Sequence, residues 1–211
     1  MHAHHINDAT QPVTFEDCIR FHGHSCPGLA YGYRAATAAM AALGVNRPED
    51  EDLVAICETD ACGVDAIQII AGTTAGKGNL VIHDYGKNAF TFYNRKDGKA
   101  VRVTFHRNEV TDAGDFASLR ALVFSGKATD VEKAQFHELK DKTTADILHA
   151  PADKLLRIEK ITMEAPKKAL IFTSVICECC GESVADAKTR KVDGKHVCMP
   201  CAEGTHIAKK K

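Results

Sequence analysis

With 211 residues, 45% of them hydrophobic, and a formal net charge of −1, the chain can build one ordinary domain with a small appendage and is too evenly charged to coat a polyanion. No apolar run reaches the roughly 18–20 residues that span a bilayer, and Met1-His2-Ala3-His4-His5 has neither the basic nor the apolar region of a signal peptide. The nine cysteines are an odd number, which argues against complete disulfide pairing and for thiol or metal chemistry in a reducing compartment, so a cytoplasmic location is expected.

Residues 1–13 read as a disordered lead. Thr14-Phe15-Glu16-Asp17 is a helix start, with Thr14 as N-cap and an acid three positions on. The short helix carries Phe15 and Ile19 on one face, packs Cys18 inside and stops at Gly23. Across that stop, Phe21-His22-Gly23-His24-Ser25-Cys26-Pro27-Gly28 places two imidazoles and a thiol within a bendable stretch. His22, His24 and Cys26 can converge on a zinc-like cation, with Cys62 as a fourth donor. The same stretch also reads as a helix-ending turn whose histidines make only local hydrogen bonds. A second helix follows Cys26-Pro27, with a stripe of Leu29, Tyr33, Ala36, Met40 and Leu43 closed by Gly44. Its N-terminus beside Cys26 is expected to lower that thiol's pKa.

Leu53-Val54-Ala55-Ile56-Cys57 reads as a buried strand that delivers Glu58-Thr59-Asp60, Cys62 and Asp65 at its end. Asp60 is read as a helix cap and Asp65 as a carboxylate that orients a histidine. Gly72-Thr73-Thr74-Ala75-Gly76-Lys77-Gly78-Asn79 is Gly-rich but fails the phosphate-loop spacing. It is left as a loop that could bring Lys77 to a ligand.

Three strand-like runs follow, Asn79 to Tyr85, Phe90 to Arg95 and Lys99 to His106, the last two joined by the hairpin signal Lys96-Asp97-Gly98. Alternation in the second and third predicts one buried sheet face. His83 and His106 read as solvated or core histidines. Residues 113–150 read as two helices, the second opened by Asp130 and ended by Pro151, and Arg157 to Glu164 as one more strand. The fold class is α+β, with helices packed on a mostly antiparallel sheet.

Five of the nine cysteines lie beyond residue 176. Cys177-x-x-Cys180, then 17 residues, then Cys198-x-x-Cys201 is the four-cysteine zinc pattern, and such a closed site is structural. Cys179 is expected to point away. The metal would replace a core that so short a segment cannot build. Residues 167–211 carry a net charge of +4 against −5 for the remainder, which supports a separate module. The expected organisation is a core domain over 14–166 and a zinc finger of treble-clef or ribbon type over 167–211.

Phe21 to Gly28, then Asp60-Ala61-Cys62-Gly63-Val64-Asp65-Ala66-Ile67-Gln68, Gly72 to Leu80 and Asp84-Tyr85-Gly86-Lys87 together resemble the formylmethanofuran dehydrogenase FmdE family over about residues 15–165. The tail resembles the treble-clef zinc finger that some members add. The resemblance implies an α+β core, a homodimer, and a metal or reactive site at His22, His24, Cys26 and Cys62. It also implies association with a molybdenum or tungsten enzyme that reduces carbon dioxide onto methanofuran, a methanogenesis-related setting. It does not imply that this chain catalyses that reaction, and no ferredoxin-like cysteine run is present.

Three functions compete on this reading. One is an accessory metal-binding protein that services such an enzyme. Another is a metal-dependent enzyme in its own right, using Cys26, Cys62, Asp65 and Lys77 (with His22 as an alternative base and Lys87 as a second anion contact) on a small anionic substrate. A nucleic-acid-binding regulator acting through the finger is disfavoured by the modest charge and scarce aromatics of that module. Structural zinc is expected in the finger and a second transition metal in the core, and neither a membrane nor nucleic acid is an expected partner. Cys26 and Cys62 could instead form a redox pair.

Overall fold

The computed structural model describes residues 12–106 and 114–206. The lead over 1–11, with its histidines, and the closing lysines lie outside the described residues. The chain forms two compact units that divide after Lys168.

The first unit opens with α1 (Phe15–His22), capped reciprocally by Thr14 and Asp17 and ended by Gly23 in the left-handed region at φ 96°. Then come α2 (Pro27–Leu43), β1 (Leu53–Cys57), α3 (Gly63–Ala71), β2 (Leu80–Ile82), β3 (Ala89–Asn94), β4 (Ala100–Phe105), α4 (Gly114–Phe124), α5 (Asp130–His149), α6 (Ala152–Leu155) and β5 (Leu156–Ile161). The sheet order is β2-β1-β3-β4-β5. Among the described residues only β1 and β2 pair in parallel, and the other pairings of this sheet are antiparallel. The class is therefore α+β, with α3 as the crossover of the single parallel pair.

The main core lies between the helices and one sheet face. Leu29, Ile67, Phe90, Phe92, Ile147 and Leu155 are almost wholly buried there. Each such side chain contributes roughly 1.5–3 kcal/mol over leaving it in water. The alternation in β3 predicted one buried face, but all six of its residues are buried. A second cluster of Val54, Tyr93 and Ala100, with Ile161 and Met163 against it, covers the other face. The chain after β5 is tied there by Arg95, whose guanidinium donates to the Pro166 carbonyl at 2.6 Å and to that of Lys167 at 3.1 Å.

In α2 the buried face also departs from the predicted stripe. Leu29, Ala36 and Leu43 are buried, but Tyr33 and Met40 are only partly so, and Ala30, Gly32, Ala35 and Ala39 complete the inner face. Small residues let neighbouring helices approach closely. At Gly32 a Cβ would lie 2.0 Å from the Gly63 carbonyl oxygen, so α2 and α3 cross backbone to backbone. Arg34 of α2 then binds the far end of α5, donating to the carbonyls of Ile147, Leu148 and Ala150, each at 2.7 Å.

The second unit holds two hairpins, β6 (Ser174–Ile176) with β7 (Ser183–Ala185) and β8 (Thr189–Val192) with β9 (Lys195–Cys198), followed by α7 (Met199–Ala202). Asp193 and Gly194, both at positive φ, form the tight turn that suits a two-residue hairpin loop.

Candidate metal centre and its cavity

The finger is the simpler of the two sites. Cys177 and Cys180 sit between β6 and β7, Cys198 ends β9 and Cys201 lies in α7. The four sulfurs lie within 4.8 Å of one another, and Cys180 and Cys198 are 3.9 Å apart. A zinc–sulfur bond of about 2.3 Å gives a tetrahedron edge of about 3.8 Å, so the donor set fits zinc. Backbone N–H groups of Cys180 and Cys198 hold the Cys177 thiol down at about 6, whereas desolvation and its sibling thiols push that of Cys201 up. Thiolates crowd one another in this way until a divalent cation balances them. Cys179 is exposed. His206 stands beside Glu182 at 3.1 Å.

In the first unit, the Gly32–Gly63 crossing fixes the second site. Cys26 is the N-cap of α2 and Cys62 that of α3, so bringing the helices together brings the thiols together. A Cβ on Gly28 would lie 3.2 Å from the Cys62 Cβ, 3.7 Å from its sulfur and 4.0 Å from the Cys26 sulfur. The space between the thiols depends on glycine there.

His22 closes α1. Its Nδ1 is 2.7 Å from Asp65 Oδ2 on α3, and its Nε2 is 3.9 Å from the Cys26 sulfur. Asp65 also accepts from Gln68 at 3.2 Å. A carboxylate at Nδ1 fixes the ring with its Nε2 lone pair toward Cys26, the orientation a ligating histidine needs. The His24 ring lies 4.4 Å from that of His22. Desolvation, then His22 and Lys140, lower its pKa and keep it a neutral donor.

One donor atom from each of His22, His24 and Cys26 lies within 4.8 Å of the others. Tetrahedral bonds of about 2.05 Å to nitrogen and 2.3 Å to sulfur would put those donors about 3.6 Å apart. The observed 3.9 Å between His22 and Cys26 is close to that, so the residues fit a late transition metal. Cys62 stands beside Cys26 but outside that triad.

Several expectations are corrected. The Cys26 thiol is not lowered: burial pushes it up to about 11, with Cys62 adding to the rise, despite the Leu29 N–H donating to its sulfur at 3.4 Å. Asp60 does not cap α3, whose N-cap is Cys62 with no side-chain bond. The Gly-rich loop is organised by buried Asn79, which donates to the Leu53 carbonyl and accepts from the Thr74 N–H. Lys77, 3.5 Å from the Asp50 carbonyl, therefore sits at the start of β1, about 16 Å of strand away from the Cys62 end. Lys87 is largely exposed and stands 4.0 Å from Glu58. Glu58 is itself held by Arg102 at 2.7 and 2.9 Å.

Two cationic side chains, Arg120 and Lys140, do border the site, with two further histidines, and the sequence did not suggest a role for any of them. His24, Cys26 and Cys62 lie on the wall of a cavity of about 860 Å³. The helical hairpin of α4 and α5 forms the facing wall, with Arg120, His137 and Lys140, and His106 from the end of β4 joins them.

The first unit is thus an α+β domain with a mixed His/Cys donor set on a ligand-sized cavity, and the second a four-cysteine finger. Comparison with known proteins agrees at the level of family. A model described as FmdE, molybdenum formylmethanofuran dehydrogenase operon, matches residues 21–157, and the chain belongs to that family. A prokaryotic dksA/traR C4-type zinc finger matches residues 171–205. A crystal structure described as a tungsten formylmethanofuran dehydrogenase FmdE-like protein from Syntrophus aciditrophicus is similar over 99% of this chain and 100% of its own. Its TM-score is 0.60 at 24% identity, a likeness of fold. A relative from Archaeoglobus fulgidus, named a probable S-adenosyl-L-methionine-binding protein, is 32% identical over 195 residues. The match takes in 89% of this chain and 52% of that relative, so this chain spans about half the length of that protein. Among the described residues no helix is long and apolar enough to cross a membrane.

Proposed function

We propose that the chain is a metal-binding FmdE-family protein whose core centre presents a coordination position to a small ligand in the adjoining cavity. The observation that carries this reading is the convergence of His22, His24 and Cys26, of which His24 and Cys26 lie on the wall of that cavity with Cys62 alongside. A site used only to stiffen the fold, like the finger, would close its four positions and needs no cavity. A divalent cation bound there supplies Lewis-acid polarisation of a ligand or water oxygen. The chain's own residues do the rest. Asp65 accepts a hydrogen bond from the His22 Nδ1–H and fixes the ring, Gly28 keeps the space between the thiols, and α2 and α3 hold Cys26 and Cys62 at a set separation.

Service to a molybdenum or tungsten enzyme is a second reading, favoured by the family's description. A metal centre of this kind could serve such an enzyme through transient docking. S-adenosylmethionine stands in the name of the longer relative; Arg120 and Lys140 would match its carboxylate and oppose its sulfonium, so the charge of the cavity does not by itself favour it.

Elemental analysis of the purified full-length chain beside a Cys26→Ser, Cys62→Ser double variant tests the proposal. The expected result is a second metal equivalent per chain that the double variant loses while keeping the finger's zinc. A single zinc in both proteins would remove the core metal and leave Cys26 and Cys62 as redox thiols or packing.

A further inference from the structure

The cavity is selective in its own right. Among the described residues its lining includes two cations, Arg120 and Lys140, and the ring nitrogens of His106 and His137, but no aspartate or glutamate. That one-sided composition stands out in a chain whose Lys and Arg total 27 against 28 Asp and Glu. Lys140 does have an acidic neighbour, Asp141 at 3.3 Å, but Asp141 is not part of the lining. A cleft lined by one sign of charge with low-dielectric walls concentrates ligands of the opposite sign.

Those walls are aromatic. The Phe116 and Phe136 rings lie nearly parallel, 9° apart with centroids at 5.5 Å, and Phe124 meets Phe136 edge-on at 6.4 Å. Phe124 is 78% exposed although it borders the cavity. An apolar ring left in water at the mouth of a ligand-sized cleft is a surface awaiting an apolar partner. The volume of about 860 Å³ lies within the range of small-molecule sites.

We infer that this cavity binds an organic anion with a flat, apolar body, the anionic group at Arg120, His137 and Lys140 and the body among Phe116, Phe124 and Phe136. The inference rests on the metal-centre reading for what the ligand's opposite end meets, His24 and the two thiols. The selectivity comes from the α4–α5 wall alone. A carboxylate and a phosphate share this chemistry, and competition between benzoate and phenyl phosphate separates them.

The probe is 2-naphthoate, followed by equilibrium dialysis against the full-length chain, with 2-naphthylmethylammonium as the cationic counterpart of the same body. The chain has no tryptophan, so naphthalene emission reads the bound fraction directly. Naphthoate is expected to bind at least about tenfold more tightly than the ammonium probe, a difference a single charge-assisted contact can supply. Added salt should weaken naphthoate and not the ammonium compound. An Arg120→Gln, Lys140→Gln double variant should lose about tenfold or more in naphthoate affinity. Photolabelling the unaltered chain with 4-azidobenzoate should mark peptides of α4 and α5, a readout that needs no variant to fold. Equal binding of the two naphthalenes, unchanged affinity in the double variant, or labelling confined to other elements would overturn the inference. Metal analysis of the unaltered chain beside the Cys26→Ser, Cys62→Ser protein separates the two readings: naphthoate binding by an unaltered chain that carries no core metal sinks the metal centre and leaves the anion site standing, and a core metal in the unaltered chain with no naphthoate binding does the reverse.

Discussion

Gly32→Ala sets two physical effects of opposite sign against each other. In a helix interior alanine is favoured over glycine by about 0.8–1.0 kcal/mol, so propensity alone predicts a more stable protein. Packing predicts the reverse. The added Cβ would lie 2.0 Å from the Gly63 carbonyl oxygen, 2.5 Å from its Cα and 2.6 Å from its carbonyl carbon. All three atoms are backbone, so no side chain can swing away. Restoring ordinary contact requires moving α2 against α3 by more than about 1 Å through a close-packed core, and overpacking typically costs 1–3 kcal/mol, occasionally more. Here, where only backbone can yield, the upper end applies, and the net expectation is a loss of about 2 kcal/mol or more. Urea unfolding at constant slope reads it as a lower midpoint. Gly76→Ala is the control, since its Cβ meets nothing within 4 Å, and should stay within about 0.5 kcal/mol of the parent. A Gly32→Ala chain as stable as the parent would refute the backbone-to-backbone crossing, and with it the account of how Cys26 and Cys62 are brought together.

Asp65→Asn keeps the shape beside His22 but removes the carboxylate, so core-metal affinity should fall about 10–100-fold with the unfolding midpoint little changed, as read by competition with a chromophoric chelator. Cys198→Ser should cost the finger its metal and its protection from limited proteolysis while the first unit keeps its far-ultraviolet dichroism. The α5 capping box predicts a pH effect. Hydrogen bonds from the Thr129 backbone and hydroxyl hold the Glu132 carboxyl below its ordinary value. Its contribution is therefore complete above the unfolded-chain pKa and is lost as pH falls through the lower folded value. Glu132→Gln should flatten that part of the acid limb of a stability–pH curve, and Thr129→Ala should lower the stability read from urea unfolding by about 1 kcal/mol.

Local chemistry was legible in the sequence wherever it acts over a few residues. Thr14 with Asp17, the stop at Gly23, the N-terminal position of Cys26-Pro27 and the break at Pro151 follow from capping and backbone rules, and the structure uses each of them. The cysteine spacing of the finger announces four donors, and they do cluster. What escaped needs the third dimension. Two glycines that touch across 31 positions, Gly32 and Gly63, carry no signal in either one's neighbourhood. Phe90 and Phe92 show the buried face of β3, but nothing in that strand reveals that Thr91 and Tyr93 are buried too, Tyr93 in a cluster flanked by Ile161 of β5 and by Met163 beyond it. Lys77 drew attention because glycines surround it, yet a loop's composition does not say which end of the sheet it serves. Arg120, His137 and Lys140 sit among the polar residues of the two helices expected over 113–150, so nothing set them apart from an ordinary solvated face.

The two cysteine sites differ in what holds their donors before any metal arrives. In the finger, the thiols share one small cluster of Cys177, Val197 and Cys198 with a few partly buried neighbours, so little besides the cation opposes the spreading of the knuckles. In the first unit, His22, Cys26 and Cys62 stand at the ends of three helices whose packing is set by the large core of Leu29, Ile67, Phe90 and Phe92. Their separation is a property of the fold, reinforced by the Asp65 contact to His22 and by the Gly32–Gly63 crossing. A cation that folds a module must be surrounded on all sides, whereas one bound to a finished scaffold can leave a side open. A cation held at the proposed core centre would have that second character, with its open side toward the cavity lined by Arg120, His137 and Lys140.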